Sequence, residues 1–362
     1  MAGDCAIGFR PFRACEPWGR DSQGVALGFH IEPRWGTAGT CYGRLQPSHA
    51  NAIIVANGVT MNITGTFLDE ISHDIPSANW GPREWAADFD AMQSVGIDTV
   101  ILIRAGYRDR ATFDSHALKA AGTMRPVYLD LVDLFLTLAE RRGMNFFFGT
   151  YDSGKYWHEG APQREIEINL RFTEEVAERY AARAAFRGWY ISHEINTFDD
   201  GVMGMYATLA RHLKSLKNVP VLMSPYVRGR KQFSDAITPE RHEQEWEQVF
   251  ARLEGLVDIV AFQDGQVDFL ELPEYLEINR RLAAKHGLHS WSNLETFERG
   301  MPINFLPIAW PNLRYKLDAA ANAGVEKLIT FEFSHFLSPN SVYPAAHNLF
   351  NRYRAWMQQQ PD

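Results

Sequence analysis

The chain has 362 residues, with 46% hydrophobic and 13% aromatic content, enough material for a large packed core and too much for a disordered chain. Its formal charge of -8 at pH 7 comes with no basic stripe, which makes nucleic acid a poor partner. No apolar run is long enough to cross a bilayer, and the first residues lack the charged start and apolar stretch of a signal peptide. A cytoplasmic protein without a membrane partner is therefore expected.

The first sixty residues stand apart in composition. Cys5, Cys15 and Cys41 all fall there; three cysteines cannot form a fully paired framework, and their spacing fits no zinc pattern. The segment has no Lys, scattered Gly and Pro, and no sustained period. Residues 1–60 are expected to be an irregular N-terminal extension. It is expected to be disordered, or upstream sequence translated from a start codon placed too early with Met61 the natural beginning, or else a small subdomain covering the bottom of the fold.

From Met61 onward, apolar runs alternate with amphipathic segments, the pattern of βαβ units. The expected strands are Asn62–Glu70, Asp98–Ala105, Met144–Asp152, Gly188–Glu194, Pro220–Tyr226, Asp258–Asp264, His289–Glu295 and Lys327–Phe333. Helices are expected between them, as over Arg83–Val95, where Trp85, Phe89 and Met92 recur on one face. Gly96, Gly143, Gly287 and Gly324 follow such segments as left-handed stops. Eight strand and helix pairs predict a TIM (β/α)8 barrel over residues 61–362. A doubly wound open sheet fits less well, because no Gly-x-Gly-x-x-Gly turn follows the first strand.

A barrel of this kind works at the C-terminal ends of its strands, so the residues closing each run are the candidates. They include Glu70, Arg104, Tyr151 and Asp152, His193 and Glu194, Tyr226, Gln263 and Asp264, Asn293 and Glu295, and Glu332. A single strand-end Glu is most simply a solvated loop residue; eight strands ending in polar side chains point to a site. Carboxylates sharing one mouth suit general acid and base chemistry, because burial and neighbouring charge separate their pKa values. Arg104 can hold a planar carboxylate or an anionic sugar group, or form a salt bridge inside the barrel. Trp80, Trp157 in "KYWHEG" and the aromatics of "MPINFLPIAW" offer flat faces for sugar rings, with loop packing the plain alternative.

A Glu closing strand four in "ISHE" and a Glu closing strand seven in "SNLE" resemble the arrangement of the clan A retaining glycoside hydrolases, which are TIM barrels. "GTFLDE", "ISHEIN" and "FEFSHF" more closely resemble a family of glycoside-hydrolase-like barrels still classed as a domain of unknown function, over roughly Met61 to Met357. The resemblance implies that Glu194 is the acid/base and Glu295 the nucleophile, acting on a glycoside or oligosaccharide with no cofactor or metal. Where clan A carries an Asn before the strand-four Glu, this chain has His193, which either takes over that Asn's sugar contact or marks a different substrate geometry.

Two other readings stay open. Glu194, Asp264 and Glu332 with several His would suit a divalent metal in a barrel isomerase or hydrolase, although no His-x-His or His-Glu-x-x-His spacing supports it. A barrel that binds carbohydrate without cleaving it would need only the aromatics and hydrogen-bonding carboxylates.

Overall fold

The computed structural model describes residues 60–73, 75–299 and 305–360. The extension expected over residues 1–60 therefore lies outside the described residues, Thr60 apart.

Eight strands form the barrel: β1 (Ile63–Leu68), β2 (Thr99–Leu102), β3 (Asn145–Gly149), β4 (Phe186–Ile191), β5 (Val221–Met223), β6 (Ile259–Gln263), β7 (His289–Asn293) and β8 (Lys327–Thr330). Each pairs in parallel with the next, and β1 closes the ring on β8. The expected strands coincide with these, but most ran too far into the loops: Tyr151 and Asp152 leave the barrel for a small sheet with Gly106–Tyr107 and Arg110–Ala111.

The strands read as near-continuous apolar runs because both faces are covered. Ile101 and Ile103 point inward, joining Phe67, Phe147, Tyr190, Leu222 and Ile329 in the barrel interior. Val100 and Leu102 alternate outward into the layer that includes Trp85, Phe89 and Phe135. Gly188 makes room inside: a Cβ there would lie 2.1 Å from the Phe147 ring.

The outer layer is α1 (Pro82–Ser94), α2 (Leu131–Arg142), α3 (Pro162–Tyr180), α4 (Asp200–Leu216), α5 (Pro239–Leu253), α6 (Leu272–Lys285), α7 (Trp310–Ala323) and α8 (Pro344–Met357). Most open with Pro in the first turn, where its missing N–H is not needed. The four predicted glycine stops have positive φ: 79° at Gly96, 66° at Gly143, 68° at Gly287 and 73° at Gly324. Further short pieces decorate the loops, among them a helix over His116–Ala121, a hairpin pairing Phe297–Glu298 with Leu306–Pro307, and a helical turn over Phe333–Phe336. They are too short to give a periodic signal in sequence. Among the described residues, no helix is long and apolar enough to cross a membrane.

Candidate active site

A cavity of about 50 Å³ opens at the C-terminal mouth of the barrel, and Arg104, Glu194, Gln263, Asn293, Glu295 and Arg299 supply its polar lining. Phe67, Ile103, Phe297, Phe305 and Phe331 complete the wall. Five of the six polar groups follow or close barrel strands, as the strand-end reading expects; Arg299 comes from the loop beyond β7.

Glu295 is buried and held from every side. Arg299 donates to both carboxylate oxygens, Nε to Oε2 at 3.1 Å and Nη2 to Oε1 at 2.9 Å, a fork that fixes the plane of the carboxylate. The Glu295 backbone N–H donates to Asp264 Oδ1 at 2.9 Å, and its carbonyl accepts from Lys316 Nζ at 2.9 Å. Lys316, itself 2% exposed, also pairs with Asp264 at 2.7 Å. Burial pushes the Asp264 carboxyl above its ordinary range against the pull of Lys316, and the Glu295 charge adds to the rise. Only glycine fits at position 265, where a Cβ would sit 1.5 Å from Glu295 Oε2.

Glu194 is more open, with 28% of its side chain exposed and Arg104 Nη2 at 3.5 Å from Oε1. Arg104 is oriented by Ser72, whose hydroxyl accepts from Nη1 at 3.0 Å, and by Asp152, 3.5 Å from Nε. Burial alone would raise the Asp152 carboxyl, but His193 and Arg104, with hydrogen bonds from the Gly154 N–H and Trp157 Nε1, bring it below the ordinary range. His193 is buried, with Nε2 at 3.1 Å from Glu165 Oε1, while its carbonyl accepts from the Tyr206 hydroxyl. Glu165 is fully buried and also accepts from the backbone and side chain of Ser153.

Several polar atoms around this mouth are buried without a hydrogen-bond partner: the Tyr190 hydroxyl, His193 Nδ1 and Asn293 Oδ1. A buried donor or acceptor left open costs about 1–3 kcal/mol, so Asn293 Oδ1, the one of the three whose residue lines the cavity, marks where a ligand hydroxyl or water would bond.

The remaining sequence candidates stand outside the cavity wall. Tyr151 turns into the helix layer, its hydroxyl donating to the Arg108 carbonyl at 3.0 Å. Trp157 packs edge-on to His193 with centroids 5.5 Å apart and donates to Asp152, and so serves as a support. Tyr226 is half-buried, stacked on Phe233 and bridged to Gln263; burial, then the Glu194 charge, raises its hydroxyl. Glu70 accepts from Ser77, Ala78 and Asn79 and shapes the loop after β1. Glu332 caps the Phe333–Phe336 turn and accepts from His335 Nδ1 at 2.6 Å. Of the aromatics in "MPINFLPIAW", Phe305 reaches the mouth, Trp310 packs near Trp356, and residues 301–304 lie outside the described residues.

The three carboxylates of the metal reading do not converge: Asp264 serves Lys316, Glu332 serves His335, and Glu194 faces Arg104. Among the described residues, Asp152, Glu165 and His193 do bring potential ligand atoms within 4.8 Å of one another. Their oxygens already accept N–H and O–H donors, and the Arg104 guanidinium stands 3.5 Å from Asp152, so the trio is better suited to fixing the His193 ring than to receiving a cation.

The sequence reading missed Arg299, Lys316 and Glu165. Lys316 and Glu165 carry a signal in hindsight, because each interrupts the buried stripe of its helix: Leu313, Lys316, Leu317 and Ala320 on α7, and Glu165, Asn169, Phe172 and Thr173 on α3. Arg299 lies in irregular chain, where no period announces it.

Fold and site together define a (β/α)8 barrel whose mouth presents two carboxylates, one buried and one partly exposed. The chain belongs to the family described as Domain of unknown function (DUF4434), whose profile matches residues 63–343. It is 44% identical to a Bacteroides thetaiotaomicron protein of solved structure named a putative alpha-L-fucosidase, with 87% of this chain and 99% of that one aligned at a TM-score of 0.80. The endo-1,4-beta-D-mannanase of Thermotoga petrophila shares the fold at 11% identity and a TM-score of 0.51, over 82% of this chain and 100% of that one. No curated protein sequence matches the chain.

Proposed function

We propose that the protein is a glycoside hydrolase that cleaves an O-glycosidic bond of an oligosaccharide with Glu295 as nucleophile and Glu194 as proton donor. The observation that carries this reading is the unequal pair at one mouth. Glu295 is buried and held in one plane by the Arg299 fork, which aims the carboxylate as a nucleophile requires. Glu194 sits half-open beside Arg104, where it can release a proton to a leaving oxygen and take one back from water. Attack by Glu295 on the anomeric carbon breaks the glycosidic bond and forms a glycosyl-enzyme, while Glu194 protonates the departing oxygen. Water, deprotonated by Glu194, then releases the sugar, so the anomeric configuration is retained.

Asn293 Oδ1 and Gln263 at the cavity wall are placed to receive sugar hydroxyls. The name borne by the 44% identical relative makes an α-L-fucoside the first substrate to try. The test is release of nitrophenol from 4-nitrophenyl α-L-fucopyranoside and a panel of other aryl glycosides, with the first-formed anomer read by proton NMR. Turnover that disappears in Glu295→Gln, falls in Glu194→Gln most on the least acidic leaving groups, and in the unmodified chain yields the retained anomer is the expected result. Full activity in both variants, or an inverted product, overturns the assignment.

A further inference from the structure

A second cavity, of about 170 Å³, lies across the Ile71–Ser72 turn from the mouth. On one side of that turn the Ser72 hydroxyl accepts from Arg104, a wall residue of the mouth; on the other the Ile71 carbonyl accepts from Arg110 Nη1 at 3.4 Å, a wall residue of the second cavity. Its floor is apolar, from Ile71 and Leu129, and Glu70, Ser77, Arg110 and Tyr128 stand around it.

The polar groups are preset. Glu70 is only 7% exposed, and its carboxylate is fixed by the Ser77 hydroxyl and the N–H groups of Ala78 and Asn79, at 3.1 and 3.3 Å. Tyr128 has the opposite character: at 67% it is one of three large apolar side chains left exposed among the described residues. Its hydroxyl donates to the Trp80 carbonyl at 3.3 Å, which orients the ring at the cavity rim. An exposed aromatic ring, an apolar floor, a fixed carboxylate and a guanidinium match the two natures of a pyranose, whose C–H face packs on a ring while its hydroxyls donate to carboxylate and accept from Arg.

Charge decides against other ligands. Arg125, the second guanidinium at this cavity, is already paired with Asp109 at 2.6 Å, which leaves Glu70 and Arg110 close to balance. An anion would meet the Glu70 carboxylate and a metal ion would meet Arg110; a neutral, hydroxyl-rich ligand uses both. We propose that this cavity is a subsite for one neutral pyranose residue of an oligosaccharide whose adjoining residues enter the mouth. The proposal rests on the glycoside hydrolase reading above and adds where the rest of the substrate is held.

The test separates binding from turnover by using the full chain with Glu295→Gln. A printed array of short neutral and uronic-acid oligosaccharides identifies the strongest binder, and calorimetric titration then compares that ligand with its own terminal monosaccharide. Adding Tyr128→Ala is expected to weaken the oligosaccharide about tenfold and the monosaccharide less than twofold, while Tyr128→Phe, which keeps the ring, stays within about threefold of the parent. Because Tyr128 is exposed, these variants should fold; equal melting temperatures check it. Unchanged oligosaccharide affinity in Tyr128→Ala, or an array dominated by acidic glycans, overturns the subsite. Tyr128-dependent binding of a sugar that the unmodified chain never cleaves keeps the subsite and overturns the hydrolase reading instead.

Discussion

Glu295 and Glu194 meet at one mouth, but the two sides of the barrel hold them by different means. On the β6–β7 side, Arg299 clamps the carboxylate, Lys316 and Asp264 fix the backbone on either side of it, and Gly265 yields the space. On the β2–β4 side, Glu194 keeps 28% of its side chain exposed, and the rigidity sits one layer back, in Arg104, Asp152 and the His193–Glu165 pair. A group that must stay ionised and attack along one line gains from immobilisation, because preorganised partners cost no rearrangement during reaction. A group that must give up a proton and take another gains from access to water and from a cation that is near without being a fork. The difference in holding is thus a difference in assigned role, and it can be broken experimentally.

The largest effect is expected from the carboxylates themselves. Glu295→Gln removes the proposed nucleophile and should lower kcat/KM by about 10,000-fold on every substrate, about 5 kcal/mol. Glu194→Gln should cost about 1,000-fold on a glycoside with an alkyl leaving group and far less on one with an acidic phenol, which departs without protonation. Comparing two leaving groups tells the roles apart: the same loss on both for Glu194→Gln would cancel its part as proton donor.

Next comes the support behind Glu295. Removing one partner of a buried pair leaves the other charge uncompensated, so Lys316→Met should destabilise the barrel by about 4 kcal/mol in chemical denaturation. Adding Asp264→Leu should restore most of it, since an apolar pair of similar volume is often neutral. A double variant as unstable as the single one would mean that Lys316 acts through the Glu295 carbonyl rather than through Asp264.

The β8 turn braces the same side, because the Thr296 N–H donates to the Phe331 carbonyl at 3.1 Å, next to Glu332. Burial alone would lower the basicity of His335, yet the Glu332 carboxylate and the Pro76 carbonyl raise it to about 9. A histidine whose folded pKa lies above its unfolded value of about 6.5 stabilises the fold fully below that value and loses the contribution as pH rises through about 9. Stability should therefore fall by up to about 3 kcal/mol between pH 6.5 and 9.5, and His335→Asn should flatten that slope.

The sequence made the barrel readable because parallel strands covered on both faces are unbroken apolar runs, and because the chemistry of such a barrel collects where those runs end. Arg104, Glu194, Gln263, Asn293 and Glu295, which line one cavity, are legible that way. Tyr151 obeyed the same rule and turned into the helix layer instead: two residues past Gly149 the chain has left the barrel, and a change of one residue in register reverses the face a side chain takes. Lys316 and Glu165 reach the site from helices, across 52 residues to Asp264 and 28 to His193. Periodicity can mark them as misfits on a buried face but cannot name their partners.

The smallest effect should come from that reach. Glu165→Gln keeps the shape of the side chain and an acceptor for the Ser153 N–H, but removes the charge that holds the His193 ring. His193 precedes Glu194 directly, so a looser ring should let the Glu194 backbone drift and cost about tenfold in kcat, about 1.4 kcal/mol, with KM little changed. A purely structural Glu165 would lower the melting temperature and leave kcat in place; a lower kcat at unchanged melting temperature and KM is the signature of a residue that positions the proposed proton donor.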